Sequence, residues 1–453
     1  MGTVPLFYCI TIYAAVKYHS EIRKAAFMLA SLKTIGWRIE LALVGSLPPA
    51  IRNNMLIELW AALAFGAFFA ATTPFLPVIL RRAGATPTML AIYTSQQFLG
   101  SVLTAFSIVL MRRRRTMNII TFSWLLSRSL FMLFAFLVHP VWMIALGSLF
   151  WLLEAFPNPG YTRILQKIYP DTVRGKVMSL VRVGRLSMVI LITPLAGWAL
   201  DHWGYRILFP LGSVLGIVSV LLFTRLEVNE GPLPVRQTKT LSELWKILRE
   251  DRRFAEYLRS FAFYGTGTLM SWTVYPLVQV DRLHLNYSDL GLLGLAQSIF
   301  WLLGYLIWGR VVDRRGGLYV LRMNCAIAML VPFSYIWATS PWMLLPAFMT
   351  QGIINAGWDM GLINAGIQLA DPERVTEYAA VQGTVVGVRG MLVPLLSVGL
   401  LQLGVPMTGI FILSIGLMAT AWVMFGNIQA PLPTQPSSIT RYRWPIRFRW
   451  PWI

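Results

Sequence analysis

The residues in this sequence that could do chemistry are a few charged side chains set inside long apolar stretches. Glu154 and Asp359 are the two carboxylates that lie well within such stretches rather than in the connectors between them. A charge placed in hydrocarbon costs at least a few kcal/mol, so a residue of this kind is retained for function or for a specific partner. We therefore expect both acids to belong to a functional site or to an ion pair.

Polar residues recur near these acids at helical spacing. Gln351, Asn355 and Asp359 follow one another in steps of four, which places them on one face of a helix. Two further stretches carry similar faces, one made of Trp151, Glu154, Asn158 and Thr162 and the other of Tyr264, Thr268, Trp272 and Tyr275. These faces predict an amphipathic cavity for a solute. The alternative is that their amides and hydroxyls bond one helix to another.

Three arginines also fall inside apolar stretches. Counting residues from the ends of neighbouring stretches puts Arg128 and Glu154 at similar depth, so we predict a buried ion pair that joins two helices. Arg389 has no acid at its depth and is a candidate to bind an anionic group of a solute, with a structural contact between helices as the alternative. Arg185 lies nearer the end of its stretch, and we predict a structural role for it.

Motifs for catalysis and for metal binding do not occur in the sequence. The connectors contain no HExxH, no GxSxG and no cluster of cysteine and histidine. Cys9 and Cys325 lie far apart, and the 4 histidines have no ligand spacing. We therefore predict that the chain is not an enzyme and has no catalytic residue, no metal site and no cofactor.

The composition is that of a membrane protein. Of 453 residues, 56% are hydrophobic and only 13% are charged, and the mean hydropathy is +0.61. The net charge of +20 would suggest a nucleic-acid partner in a soluble protein. Here the basic residues lie in short connectors between apolar runs, which is the pattern of the positive-inside rule. We therefore predict a multi-pass protein of the cytoplasmic membrane with no nucleic-acid partner.

The apolar runs predict an all-α membrane fold with twelve transmembrane helices. Each run has about the length that spans a bilayer. The predicted spans are 55–80, 88–111, 117–138, 141–165, 176–200, 206–226, 254–280, 287–311, 318–338, 341–366, 376–402 and 405–427.

The distribution of basic residues predicts the topology. Connectors on one side carry most of the lysine and arginine, which places both termini in the cytoplasm. Residues 53–226 and 253–428 would then form two six-helix bundles joined by a cytoplasmic loop, 227–252. Residues 1–52 are predicted to be a cytoplasmic or interfacial extension, with non-native sequence from an upstream start codon as the alternative. The aromatic and basic tail, 429–453, is predicted to contact anionic lipids.

The two halves are copies of each other. A constant offset of about 200 residues matches identical residues through five spans. The matched residues include Gln97 and Gln297, Arg114 and Arg314, Trp142 and Trp342, Asp171 and Asp371, and Pro194 and Pro394.

One charged stretch connects this repeat to a known family. Residues 304–322 read GYLIWGRVVDRRGGLYVLR and contain the pattern G-x-x-x-D-R-x-G, and residues 202–209 read HWGYRILF. Together with two parallel six-span repeats, these segments resemble the major facilitator superfamily of secondary transporters over about residues 53–428. The motifs of drug:proton antiporters and of sugar porters are missing, which disfavours those two branches.

The resemblance implies a monomeric secondary active transporter that moves a small solute by alternating access. In this family the first, fourth, seventh and tenth spans line the cavity. The cavity candidates are accordingly Glu154, Asn158, Tyr264, Thr268, Trp272, Gln351, Asn355, Asp359 and Arg389. Protons are a candidate coupling ion, with Asp359 as the favoured carrier. The alternative function is a transport-inactive sensor or receptor on the same fold.

The resemblance also implies a conformational latch formed by Gly309, Asp313, Arg314 and Gly316. Asp313 would cap the start of the fifth span and hold the outward-open state. The alternative is that Asp313 pairs with an arginine of its own loop. In the first half the matching position is Arg113, so one of two related latches would be lost.

Overall fold

The computed structural model describes residues 47–230, 247–370 and 374–428. The predicted tail, most of the extension and most of the central loop lie outside these ranges. The helices of the first half are α1 (Pro49–Thr72), α2 (Leu76–Arg82), α3 (Pro87–Arg113), α4 (Thr116–Ser129), α5 (Pro140–Ala155), α6 (Asn158–Ile168), α7 (Asp171–Trp203) and α8 (Tyr205–Phe223). Those of the second half are α9 (Arg252–Leu277), α10 (Tyr287–Ala328), α11 (Leu330–Trp337), α12 (Leu345–Leu369), α13 (Val375–Gln402) and α14 (Met407–Gly426).

Eight helical stretches in the described part of the chain are long and apolar enough to cross a membrane. One of them, Tyr287–Trp337, is 51 residues long. At 1.5 Å per residue it exceeds twice the thickness of a bilayer core, and it contains two of the predicted spans. The predicted all-α membrane fold is confirmed, while the number of twelve crossings stays a prediction.

Helix starts follow from local sequence. Proline occupies an early position in α1, α3 and α5, where the amide hydrogen it lacks would have no partner. The Thr86 side chain accepts a hydrogen bond from the Met89 amide at 3.3 Å and caps α3. The Asp251 carboxylate accepts from the Phe254 amide at 3.0 Å and caps α9.

The charged stretch of residues 304–322 contains a turn, and one residue inside α10, Gly316, makes it. Gly316 has φ 82° and ψ 170°, which is left-handed backbone that glycine adopts without strain. The next residue, Gly317, packs against the backbone of Asn364 and Ala365 in α12, where a Cβ would overlap those atoms. The glycine pair therefore reverses the chain at one position and allows close helix packing at the next.

The two bundles meet along two helix pairs. Within the first bundle α1 packs on α7 and α8, and within the second α9 packs on α13 and α14. Between the bundles α7 packs on α10, and α3 packs on α13. These two pairs occupy matching positions of the repeat, so the interface has pseudo-twofold symmetry. We call them the α7–α10 seam and the α3–α13 seam.

Glycine allows the closest approach at the α7–α10 seam. A Cβ on Gly291 would lie 2.9 Å from the Thr193 carbonyl oxygen, and a Cβ on Gly197 would overlap the Tyr287 carbonyl. Helices in lipid associate largely through such backbone contact between small residues. The seam is therefore a tight crossing whose main chains are in contact.

The backbone of Gly316 generates a stability prediction. We expect Gly316→Ala to destabilise the protein by about 1–2 kcal/mol, because an L-residue is strained at this φ. The added Cβ would also lie 2.7 Å from Oε1 of Gln368. Thermal unfolding of the purified protein in detergent measures the effect.

Gly309→Ala is the matched control, since its Cβ would make one ordinary contact, at 3.7 Å from Met360. It should leave the melting temperature unchanged or raise it slightly, because alanine is the better helix former. Equal melting temperatures for both variants would contradict the assignment of the turn to Gly316.

Candidate functional site

Hydrogen bonds at the helix ends define two sides of the structure. Asn54 in α1 exchanges two hydrogen bonds with the backbone of Glu227 after α8, at 3.1 and 3.0 Å. The Glu230 carboxylate accepts from the Thr116 and Met117 amides at the start of α4, at 2.7 and 3.0 Å. These ends flank the central loop, so we call this the connector side and the opposite one the far side.

An ion pair joins the two bundles on the far side. Arg81, at the end of α2, donates from Nη2 and Nε to the Asp281 carboxylate at 2.7 and 2.9 Å. Arg82 donates to the Leu285 carbonyl oxygen, and its guanidinium lies 4.0 Å from the centre of the Tyr287 ring. The end of the first span is thereby held against the segment between the seventh and eighth predicted spans.

Two further far-side contacts sit at matching positions of the repeat. The Asp201 carboxylate accepts from the Tyr287 and Ser288 amides at 3.1 and 2.7 Å and from the Ser288 hydroxyl at 2.5 Å, so it caps the start of α10. Gln402 donates to the Thr88 hydroxyl at 2.9 Å at the start of α3. Together with the ion pair, these contacts close the far side of the gap between the bundles.

Asp313, the candidate latch residue, makes no contact between the bundles in this conformation. Asp313 is exposed, and among the described residues it forms no hydrogen bond or ion pair, either with the start of α7 or with the arginines of its own loop. The resemblance assigns this latch to the opposite conformation, with the far side open. The role of Asp313 therefore stays a prediction.

The structure brings Arg128 and Glu154 together. Arg128 is 3% exposed, and its Nη2 lies 3.0 Å from Oε1 of Glu154. Ser127 donates a further hydrogen bond to this carboxylate at 2.8 Å, and Arg128 donates to the Ser219 hydroxyl at 2.8 Å. The pair links α4, α5 and α8 within one bundle, and both charges are compensated there.

Asp359 lies between the bundles instead. Its carboxylate accepts from the Tyr305 hydroxyl at 2.5 Å, and the Trp301 indole faces it. Arg182 and Arg185 of α7 lie within electrostatic range of it but farther than 4.0 Å from it. The five residues lie on both sides of the α7–α10 seam, and we call them the seam cluster.

The sequence did not identify the two arginines of the seam cluster as site residues. The guanidinium of Arg185 lies 4.9 and 5.2 Å from the ring centres of Phe65 and Phe69 in α1. In the described part of the chain, neither Arg182 nor Arg185 forms a hydrogen bond or an ion pair. Depth alone suggested a structural role for Arg185, and that role stays a prediction; the structure adds that Arg185 lies at the seam.

The other candidates on α12, α6 and α9 are partly accessible. Gln351 donates to the Asn355 side chain at 3.2 Å, and both residues are half-buried on the face that also carries Asp359. Asn158 is exposed, and Trp272 is 49% exposed.

Tyr264 and Arg389 lie inside the second bundle. Tyr264 is fully buried, and its hydroxyl accepts from the Asn324 side chain at 3.1 Å. Arg389 is 8% exposed, donates to the Phe261 carbonyl at 2.7 Å and occupies the space left by the missing side chain of Gly265. In this conformation neither side chain faces the gap between the bundles. Thr268 donates to a carbonyl of its own helix at 3.1 Å.

Glu58 is a buried carboxylate that the sequence analysis missed. It is 3% exposed and accepts from the hydroxyls of Tyr161 and Tyr169, both at 2.7 Å. The group ties α1 to the end of the fourth predicted span. It lies only three residues inside the predicted start of the first span. An acid so close to the end of an apolar stretch did not stand out as a buried charge.

The family assignment follows from comparison with known proteins. A family model described as the Major Facilitator Superfamily matches residues 59–394. The chain belongs to the major facilitator superfamily. It is therefore a membrane transporter by family, and the resemblance noted in the sequence is confirmed.

Relatives within the superfamily are distant. The chain is 23% identical to the multidrug resistance protein MdtG of Salmonella arizonae over 311 residues, covering 65% of this chain and 75% of that protein. It is 28% identical to the alpha-ketoglutarate permease of Escherichia coli over 153 residues, covering 33% of each.

Solved structures in the superfamily share the fold. A point mutant of the nucleoside transporter NupG has a TM-score of 0.66 at 13% identity, covering 83% of this chain and 99% of that one. A bacterial homologue of the human lysosomal transporter Spinster, inward-facing and occupied, has a TM-score of 0.61 at 11% identity, covering 84% and 97%.

The pair Arg128–Glu154 generates a double-mutant prediction. Arg128→Met or Glu154→Gln alone should each destabilise the protein by about 3–5 kcal/mol, because each leaves a buried charge without its partner. The double variant should lose much less than the sum of the two single variants. Unfolding in detergent measures all three. Additive losses would show that the two side chains do not stabilise each other.

Proposed function

We propose that this protein is a secondary active transporter that moves a small solute across the cytoplasmic membrane by alternating access, with the solute bound at the seam cluster. The observation that carries the proposal is the closure of one side. Cross-bundle bonds between Arg81 and Asp281 and around Asp201 seal the far side. Arg182 remains exposed, and Asp359 is half-buried.

The depth of the seam cluster supports this assignment. Asp359 lies ten residues before the end of α12, and Arg185 lies fourteen residues after the start of α7, and both ends are on the connector side. At 1.5 Å per residue these positions are about 15–21 Å from the connector side, near the middle of a bilayer. Solute sites of such transporters lie near the midplane between the two repeats.

The proposed orientation places the connector side in the cytoplasm, with both termini. Arg114, Arg115, Arg314 and Arg315 are exposed at this side, as the positive-inside rule expects. The closed far side then makes this conformation inward-facing. The Spinster homologue of similar fold was also solved in an inward-facing conformation.

Two roles complete the proposed cycle. Asp313 caps the start of α7 when the far side is open and so stabilises the outward-open state. Asp359 is the candidate proton carrier, since it is the carboxylate of the seam cluster and no base holds it in an ion pair among the described residues. Each chain contains both bundles, so a monomer suffices.

Spin-label distances test alternating access without knowledge of the solute. Labels at Thr86 and Leu403 would span the far side, and labels at Thr172 and Ala379 would span the connector side, in a background lacking Cys9 and Cys325. Asp281→Asn should increase the population with a long far-side distance and a short connector-side distance. An exposed ion pair is worth up to about 1 kcal/mol, so we expect up to about a fivefold change. Asp313→Asn should change both populations in the opposite direction.

A control pair at Thr86 and His139 lies within the first bundle and should keep one distance throughout. Populations that do not respond to either substitution, or that change on one side alone, would contradict alternating access. Uptake or efflux of solutes by proteoliposomes then separates a transporter from the transport-inactive sensor.

A further inference from the structure

We propose that the solute carries an anionic group that binds Arg182 and Arg185 at the seam cluster, and that Asp359 competes with it for these arginines. The inference rests on the proposed function, because it specifies the class of solute that the same site takes. It applies to small organic anions such as carboxylates and phosphate esters.

Position is the first argument. Arg182 and Arg185 are three residues apart on α7 and therefore lie on one face of the helix. Leu186, the neighbour of Arg185, packs in one hydrophobic cluster with Trp301 and Tyr305 of α10. This part of α7 therefore lies at the seam between the two bundles.

The lack of a close ion-pair partner is the second argument. Arg128 is paired with Glu154 at 3.0 Å, and Glu58 accepts hydrogen bonds from two tyrosine hydroxyls. None of the described acids lies within 4.0 Å of Arg182 or Arg185. A guanidinium without a close carboxylate is costly at this depth, and a bound anion would supply the missing partner.

A poorly satisfied hydrogen-bond donor is the third argument. The Trp301 indole nitrogen is buried and faces the Asp359 carboxylate, but it has no acceptor in good hydrogen-bonding geometry among the described residues. An anionic oxygen beside Asp359 would give this donor a better acceptor. The rings of Phe65 and Phe69 pack beside Arg185 and offer an apolar wall to the remainder of the solute.

Asp359 has an alternative partner when the anion arrives. Its carboxylate accepts the hydrogen bond from Tyr305 at 2.5 Å and lies farther than 4.0 Å from both arginines, so the arginines remain available to the solute. The negative charge of Asp359 attracts the same two arginines and repels a bound anion. Removing its charge should strengthen anion binding, whereas a site for cations would lose its only described carboxylate in the cluster.

Matched probes of different charge test the proposal on the purified full-length chain. The probes are 1-naphthoate, 1-naphthamide and 1-naphthylmethylammonium, together with succinate, succinamide and 1,4-diaminobutane. Thermal shift as a function of concentration gives an apparent Kd for each. We expect at least one of the two carboxylates to stabilise the protein and its neutral and cationic counterparts to do so at least about tenfold less well.

Two variants and one control locate the effect. Arg182→Gln with Arg185→Gln should weaken carboxylate binding at least about tenfold, and Asp359→Asn should strengthen it about threefold or more. Arg206→Gln with Arg225→Gln removes two exposed arginines outside the cluster and should change nothing.

Several results would overturn the proposal. Among the probes, these results are equal stabilisation by the amides or cations and the carboxylates, or no stabilisation by either carboxylate. Among the variants, they are carboxylate binding that survives loss of both arginines, or weaker carboxylate binding in Asp359→Asn. The spin-label distances report on alternating access separately. A protein that alternates but prefers cations therefore contradicts only the anion assignment, and one that binds anions without alternating contradicts only the transport cycle.

Discussion

The ion pair between Arg81 and Asp281 closes the far side of a gap that the proposed transport cycle must also open. Its side chains are 25% and 34% exposed, so it contributes about 0–1 kcal/mol rather than the several kcal/mol of a buried pair. The capping bonds of Asp201 add to it, and each net hydrogen bond is worth about 1 kcal/mol. Converting a 1:99 population into 99:1 takes about 5.5 kcal/mol. The free energy needed to break a closure made of a few weak contacts is therefore of the size that binding of a solute or a proton can supply.

Charges inside a bundle have the opposite role. Arg128 is buried and Glu154 is half-buried, and both are hydrogen-bonded to neighbouring hydroxyls and paired with each other. Breaking such a pair is expensive, so the helices that it joins move together. The protein therefore combines a strong charge pair within one bundle with a weak one across the gap, as the proposed rocking of two rigid bodies requires. In that proposed cycle the glycine crossing at Gly197 and Gly291 would keep the two bodies in contact.

Sequence alone predicted the family, the repeat and the helical fold. The lengths of the apolar segments and the constant offset between the two halves can be read from the sequence without knowing how the helices pack. Arg128 and Glu154 could be matched by depth, since both lie far from the helix ends. The neighbours of other residues were not predictable. Helical period placed Tyr264 on a common face with Trp272, but Tyr264 packs inside its bundle and Trp272 is exposed. Arg185 was interpreted from its depth, whereas its position depends on which helix α7 packs against. The packing partner of α7 is tertiary information. From the sequence, only the symmetry between the two repeats could have suggested it.

The central claim is that the seam cluster is reached from one side at a time. A single cysteine at position 182, in a background lacking Cys9 and Cys325, tests it with a membrane-impermeant thiol reagent applied to either face of oriented vesicles. We predict labelling from the connector side and little from the far side, with far-side labelling rising when Asp281→Asn is added. Equal labelling from both sides without that substitution, or far-side labelling that does not respond to it, would contradict the account.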